Sequence, residues 1–270
     1  MHGLTQSLIP PALRPIARAI YHKAFRLQLR TEFWCADRLS KAPSPVPVPP
    51  AILRYRVSEL LSVSEFLRIG EGCASLIRQR VDDMGIAIGS THRVLDFGCG
   101  CGRTIAWLLR DSDAEFHGVD VDRDAVDWCK NHLRDGHFLA NASIPPLPYP
   151  DEYFDVVYCL SVFTHLNESM QDLWIQELSR ILKPGGVLLL TIYGKGVTEG
   201  LDEETKSALN LDGLVHRRSQ KLRGLVPDWY QTTWHSRAYI VNRLSAWLGD
   251  IHYFVVPDGL QDFVAGRKSS

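Results

Sequence analysis

The sequence lacks the patterns that would indicate a cysteine zinc site, a membrane span or a nucleic-acid partner. Its six cysteines are scattered, and none forms a Cys-x-x-Cys pair with a matching second pair. The longest apolar strings, such as residues 187–190, fall far short of the roughly 20 residues that a span needs. The formal net charge is -1, so no overall basic field favours nucleic acid. We therefore expect a cytoplasmic protein with a small-molecule partner, no nucleic acid and no metal.

A third glycine is also missing where a dinucleotide-binding loop would need it. Residues 93–107, RVLDFGCGCGRTIAW, predict a buried strand, a tight loop and the start of a helix. The G-x-G-x-x-G pattern, counted from Gly98 and Gly100, would place its last glycine at Arg103. NAD or FAD is therefore disfavoured, although a loop so rich in glycine still predicts close approach to a ligand.

Further landmarks follow the glycine loop in order along the chain. The run EFHGVD, residues 115–120, predicts a second strand that ends in an acid at Asp120. A third strand leads into Asn141, and the turn LKPGG at residues 182–186 precedes a fifth strand. In a doubly wound sheet, polar residues after successive parallel strands lie at one edge, where ligands bind.

The pattern from Asp96 to Gly102, Asp-x-Gly-x-Gly-x-Gly, resembles motif I of the class I S-adenosylmethionine-dependent methyltransferases. The resemblance extends from about Tyr55 to the C-terminus. It implies an α/β, doubly wound, Rossmann-like sheet of seven strands in the order 3-2-1-4-5-7-6, with the last strand antiparallel. The implied cofactor is S-adenosyl-L-methionine. The residues expected to bind it are Asp96, Gly98, Cys99, Gly100, Gly102, Asp120, Val121, Asn141 and Ser161.

The resemblance further implies methyl transfer to a small-molecule acceptor, through an oxygen or nitrogen nucleophile. Two other classes stay open, namely a non-catalytic S-adenosylmethionine-binding or scaffold protein and a nucleotide-dependent oxidoreductase. Arg103 at the third glycine position weakens the oxidoreductase. A hydroxyl acceptor needs a base, and His165, just after the fourth strand, is the first candidate because imidazole accepts protons near neutral pH. His235 is the second candidate.

The last third of the sequence contains an aromatic cluster. Trp229, Tyr230 and Trp234 lie in the segment DWYQTTWHSRAY, residues 228–239, and predict the wall of an apolar acceptor pocket. A small satellite core beneath a lid is the alternative interpretation.

The first 50 residues differ in composition from the remainder of the sequence. Residues 1–42 predict a basic amphipathic helical arm, and residues 43–50, PSPVPVPP, a stiff proline-rich linker. Residues 51–270 then form the methyltransferase domain, with a cofactor half at about 90–192 and an acceptor or lid region at about 193–250. The basic stretch at residues 12–30 is interpreted as a helix that docks on the domain, on a partner or on a membrane surface.

Overall fold

A computed structural model of the protein describes residues 31–38, 43–59, 61–217, 231–257 and 259–269. The basic stretch at residues 12–30 lies outside the described residues, as do Trp229 and Tyr230. Within the described ranges, no helix combines the length and the apolar character needed to cross a bilayer.

A seven-stranded sheet forms the centre of the fold. The described residues form nine strands in all, of which seven make this sheet: β1 (Arg93–Phe97), β2 (Glu115–Asp120), β3 (Gly136–Ala140), β4 (Phe154–Cys159), β5 (Leu182–Tyr193), β6 (Leu214–Arg217), β7 (Thr232–His235), β8 (Gly249–Phe254) and β9 (Gln261–Arg267). Their order in the sheet is β3-β2-β1-β4-β5-β9-β8, while β6 and β7 pair separately. Strand β9 is antiparallel to both β5 and β8, and the other pairs in the sheet are parallel. The predicted order and the antiparallel last strand are confirmed.

Helices cover both faces of this sheet. The described helices are α1 (described over residues 31–38), α2 (Ala51–Ser58), α3 (Val63–Asp83), α4 (Ile105–Asp111), α5 (Arg123–His132), α6 (Glu168–Ile181), α7 (Lys195–Glu199), α8 (Glu203–Asp212) and α9 (Arg237–Ser245). Side chains alternate across each strand. On β5, Val187 and Leu189 therefore join the core under α3, α4 and α5, whereas Leu188 and Leu190 join the core under α6 and α9. This three-layer packing leaves the strand ends uncovered, and the candidate site lies at one of those ends.

The proline-rich segment packs against the domain. Val46 and Pro49 are buried, and Val46 belongs to the core on the α3 face. On α1, a carboxylate oxygen of Asp37 accepts the N–H of Ala51 at 2.7 Å and lies 3.4 Å from the guanidinium of Arg54, which is 1% exposed. The end of the arm thus caps the first helix of the domain. A division of the chain at residues 43–50 remains a prediction.

The turn predicted from LKPGG lies inside strand β5. Helix α6 ends at Ile181, and the pairing of β4 with β5 shifts between Phe154–Leu182 and Val156–Val187. Residues 183–186 therefore bulge opposite Asp155. Both carboxylate oxygens of Asp155 lie 2.8 Å from the Lys183 ammonium in the bulge, and one of them accepts the backbone N–H of Arg93 at 2.8 Å. A single carboxylate thus joins β1, β4 and β5 at the end of the sheet opposite the candidate site.

We expect Asp155→Ala to lower the free energy of unfolding by about 1–3 kcal/mol, because it leaves an ammonium and a strand N–H without their charged acceptor. Urea denaturation measures this change. The matched control is Glu199→Ala, which removes an exposed pair with Lys195 and should cost no more than about 0.5 kcal/mol. Equal effects of the two substitutions would show that Asp155 is only another surface charge.

Candidate functional site

A cavity of about 720 Å³ opens at the carboxyl ends of β1, β2 and β4. Eight of the nine residues predicted to bind the cofactor line it: Asp96, Gly98, Cys99, Gly100, Asp120, Val121, Asn141 and Ser161. The ninth, Gly102, does not line the cavity and lies on the side of the loop that faces α5. A Cβ on Gly102 would come within 2.5 Å of Leu133 and 3.2 Å of the Cys129 sulfur, so its absence allows α5 to pack against the loop. Gly102 therefore supports the loop from behind, and a contact between Gly102 and the cofactor remains a prediction.

The glycine loop requires glycine for two separate reasons at its first two positions. Gly98 and Gly100 have φ of 85° and 52°, a left-handed conformation that other residues rarely adopt. A Cβ on Gly98 would lie 2.3 Å from the Val162 side chain, and one on Gly100 would lie 2.6 Å from that of Val57. The loop is therefore held closely between α2 and the segment after β4.

Asp120 fixes the glycine loop to the end of β2. One of its carboxylate oxygens accepts the N–H of Gly100 at 2.7 Å, and the other accepts the N–H of Asp122 at 2.8 Å. Burial raises the pKa of Asp120, and these backbone donors counteract the rise. A carboxylate offers about four acceptor positions, so each oxygen retains capacity for a hydroxyl donor in the cavity.

Asp96 is a second acid in the cavity, and its environment differs from that of Asp120. Asp96 is 3% exposed, and burial raises its pKa to about 7. The neighbouring Tyr158 and Arg103 oppose this rise, while the charge of Asp120 adds to it. Near neutral pH the Asp96 carboxyl therefore exists in both protonation states and can donate as well as accept a hydrogen bond.

Asn141 presents a buried acceptor to the same cavity. Its side-chain NH₂ donates to the carbonyl of Ala142 at 2.7 Å, which fixes the orientation of the amide. Its Oδ1 atom is buried and has no hydrogen-bond partner among the described residues. Leaving such an acceptor unpaired costs about 1–3 kcal/mol, so an N–H donor on a ligand would be favoured here.

Polar contacts between three strands surround Ser161, just after β4. Ser161 has a φ of 58°, and its backbone N–H donates to the hydroxyl of Thr191 on β5 at 2.9 Å. Gln261, the first residue of β9, lies 2.7 Å from both hydroxyls. Sequence reasoning missed Thr191 and Gln261. The available signal was Thr191 itself, a polar residue at the end of an apolar strand.

His165 lies on the cavity wall, where the β6–β7 hairpin holds it. Its Nδ1 lies 2.6 Å from the carbonyl of Gln231, which can only accept, so Nδ1 carries the hydrogen. The lone pair of the neutral ring is therefore on Nε2. Thr233 in β7 fixes the same segment, because its N–H donates to the Thr164 carbonyl and its hydroxyl to the Leu166 carbonyl, both at 2.8 Å. Burial lowers the pKa of His165.

Of the other residues predicted for acceptor chemistry, His235 and Trp234 are described, and neither lines this cavity. His235 is 3% exposed, its Nε2 lies 3.0 Å from the side-chain oxygen of Gln171, and burial lowers its pKa to about 3. This geometry is contrary to the prediction of His235 as the second candidate base, since the ring is part of the core. Trp234 packs near Tyr193 instead, with ring centroids 6.3 Å apart.

One wall of the cavity comes from α2, which the sequence did not suggest. The Arg56 guanidinium lies 3.0 Å from carboxylate oxygens of both Asp122 and Asp124, at the start of α5. Val57, the next residue, reaches the glycine loop. Helix α2 therefore forms one side of the cavity, through Arg56 and Val57.

Comparisons with known proteins agree with this geometry. Residues 95–190 match a family described as a methyltransferase domain. The methyltransferase GfsG of Streptomyces halstedii is 29% identical over 134 residues, which cover 48% of this chain and 46% of that protein. A tRNA N(3)-cytidine methyltransferase, METTL2 of Gallus gallus, is 32% identical over 117 residues, 39% of this chain and 31% of that one. A fatty-acid O-methyltransferase of Mycolicibacterium smegmatis is 34% identical over 101 residues, 37% and 36% of the two chains.

The chain thus spans less than half the length of each of these three relatives. Among solved structures, magnesium protoporphyrin IX methyltransferase (ChlM) from Synechocystis, with bound SAH, superposes with a TM-score of 0.52 at 17% identity, covering 80% of this chain and 93% of that one. That identity shows the fold alone. The matched domain at residues 95–190 and its sequence relatives support a class I S-adenosylmethionine-dependent methyltransferase.

Proposed function

We propose that the protein transfers the methyl group of S-adenosylmethionine to a small-molecule acceptor that reacts through oxygen or nitrogen. One observation carries the proposal. A single cavity joins a fixed carboxylate and an unpartnered amide oxygen, at Asp120 and Asn141, to an imidazole at His165. The first two groups suit the nucleoside part of the cofactor, and the imidazole suits an acceptor that must lose a proton.

The residues present fit the cofactor. The carboxylate of Asp120 would accept hydrogen bonds from the ribose hydroxyls, because both of its oxygens have acceptor capacity beyond their backbone donors. The buried Oδ1 of Asn141 would accept the adenine amino group, which satisfies the acceptor that the protein leaves unpaired. At Gly98 and Gly100, the absence of a Cβ lets Val162 and Val57 pack against the loop that would contact the ligand.

S-adenosylmethionine supplies a methyl group that its positive sulfonium already makes electrophilic. The protein therefore has to align the acceptor, exclude water and remove a proton where the acceptor carries one. Apolar side chains of Leu160, Val162 and Leu166 line the part of the cavity next to His165 and limit access of water. With Nδ1–H bound to the Gln231 carbonyl, Nε2 of His165 is the atom that would take the proton.

The choice of a small-molecule acceptor rests on the net charge of the protein and on the shape of the cavity. The relatives include enzymes named for a fatty acid and for a tRNA, so their names alone do not choose between acceptors. A net charge of -1 gives no overall attraction to a polyanion. A concave cavity of about 720 Å³ with both apolar and polar lining residues favours a small molecule. The cytoplasmic location and a contact of residues 12–30 with a membrane or partner remain proposals.

We expect Asp120→Asn to weaken S-adenosylmethionine by about 10–150-fold, because hydrogen bonds to a charged group are worth about 1.5–3 kcal/mol and the amide removes the charge. Isothermal titration calorimetry measures the affinity. Asp127→Ala on exposed α5 is the control for loss of a carboxylate and should bind normally. Unchanged affinity in Asp120→Asn would remove Asp120 from the cofactor site.

For a hydroxyl acceptor, we expect His165→Ala to reduce turnover by about 10²–10⁴-fold with the affinity for S-adenosylmethionine intact, since the variant lacks the base. Turnover is followed as release of S-adenosylhomocysteine with a panel of acceptors. The base acts when deprotonated, and burial lowers its pKa. Activity of the wild type should therefore fall only below the ordinary histidine value of about 6.5.

His92→Ala is the matched control for this experiment. His92 is partly buried and directly precedes β1, at the end of the sheet opposite the cavity, which it does not line. The control should keep the wild-type pH profile. Full turnover in His165→Ala on an acceptor that the wild type methylates would exclude His165 as the base.

A further inference from the structure

Glu115, His117 and His137 bring three metal-binding side chains together outside the cavity. One potential ligand atom from each residue lies within 4.8 Å of the other two. The Nε2 atom of His117 is 2.8 Å from a carboxylate oxygen of Glu115, and the rings of His117 and His137 have centroids 4.8 Å apart. From this geometry we propose that the protein binds one divalent transition-metal ion, with zinc as the representative, through Glu115, His117 and His137.

The strand geometry explains why these side chains meet. Glu115 and His117 are two positions apart on β2, so they point to the same face of the sheet. His137 on β3 is the direct register partner of His117 in the parallel pair. Paired residues on neighbouring strands share a face and have closely spaced Cβ atoms. The cluster is therefore fixed by the backbone pairing of two strands and does not depend on a loop.

The site is separate from the cofactor cavity. Asp120 lies three positions beyond His117 on β2, about 10 Å along the strand at about 3.3 Å per residue. An odd spacing places Asp120 on the opposite face, and none of the three proposed ligands lines the cavity. His117 is surrounded by aromatic rings on its own face, including Tyr149 at 5.5 Å and Phe154 at 5.1 Å.

Of the two histidines in the cluster, His117 is buried and His137 is open to solvent. His117 is 6% exposed and packs against the rings of Tyr149 and Phe154, so its imidazole is held in place before an ion arrives. His137 is exposed and gives the ion a path from solvent. Arg93 donates to the other carboxylate oxygen of Glu115 at 3.1 Å, which orients the carboxylate and leaves its first oxygen directed at His117.

The positive charge of Arg93 opposes a dication, so the site must use strong individual ligands. Two imidazoles and one carboxylate meet this need, because nitrogen ligands favour zinc and its neighbours in the transition series over magnesium and calcium. Three protein ligands also leave a coordination position for water. We therefore expect selectivity for Zn²⁺ over Mg²⁺ at this cluster.

The test uses tag-free full-length protein in a Cys35→Ser background, which removes an exposed thiol. Zinc binding is measured by calorimetry, and Co²⁺ absorption spectra show whether thiolates take part. We expect one zinc ion per chain, a cobalt spectrum without thiolate charge-transfer bands, and no competition from Mg²⁺. His137→Ala should weaken zinc by at least about 100-fold, since losing a ligand exceeds the 10–100-fold effect of losing an outer partner.

The control is His252→Ala. His252 also pairs with a carboxylate, Asp250, at 2.9 Å on an exposed strand, but among the described residues no third ligand joins that pair. Its removal should leave zinc affinity unchanged. Absence of saturable one-to-one binding, normal binding by His137→Ala, an equal loss in His252→Ala or a thiolate cobalt spectrum would each overturn the proposal. These measurements need no acceptor and no S-adenosylmethionine, so they stand apart from the methyl-transfer proposal.

Discussion

The 2.7 Å hydrogen bond from the Gly100 N–H to Asp120 is the contact on which the cavity depends. It joins the loop after β1 to the end of β2, and Asp120 also accepts the N–H that begins the next loop. Because the same carboxylate shapes the loop and faces the cavity, its burial is compensated by backbone donors before any ligand arrives. The protein thereby holds the acid ready in one orientation, and a ligand that binds it need not order the loop.

The acceptor side of the cavity depends on contacts between distant parts of the chain. His165 is held by the carbonyl of Gln231, 66 residues later, and Thr233 bonds the carbonyls on both sides of it. The β6–β7 hairpin thus sets the orientation and the tautomer of an imidazole that belongs to the loop after β4. Under the proposed function, the two tasks of the site would be separate, since the strand ends would hold the cofactor and the hairpin would position the proton acceptor.

Local patterns were enough to predict the strands and most of the residues that line the cavity. Apolar runs, glycine spacing and terminal acids are signals within a few residues, and they carried the family resemblance that implied the sheet order and eight residues of the cavity. Contacts that depend on the packing of distant residues were not predicted. Nothing in the local sequence distinguishes His235 from His165, yet His235 is hydrogen-bonded to Gln171 in the core, whereas His165 lines the cavity. The cluster of Glu115, His117 and His137 was not predicted either, because it depends on the register between β2 and β3, which local patterns do not give.

Strand β3 connects the cofactor cavity with the proposed metal cluster. It lies at the edge of the sheet and pairs only with β2 among the strands described. His137 is near its start, and Asn141 directly follows its end, with the Asn141 N–H bonded to the Asp120 carbonyl at 3.0 Å. An edge strand has half the ladder contacts of a central one, so it opens more easily. An ion bound by residues of both β2 and β3 would oppose that opening and would hold in place the strand that positions Asn141.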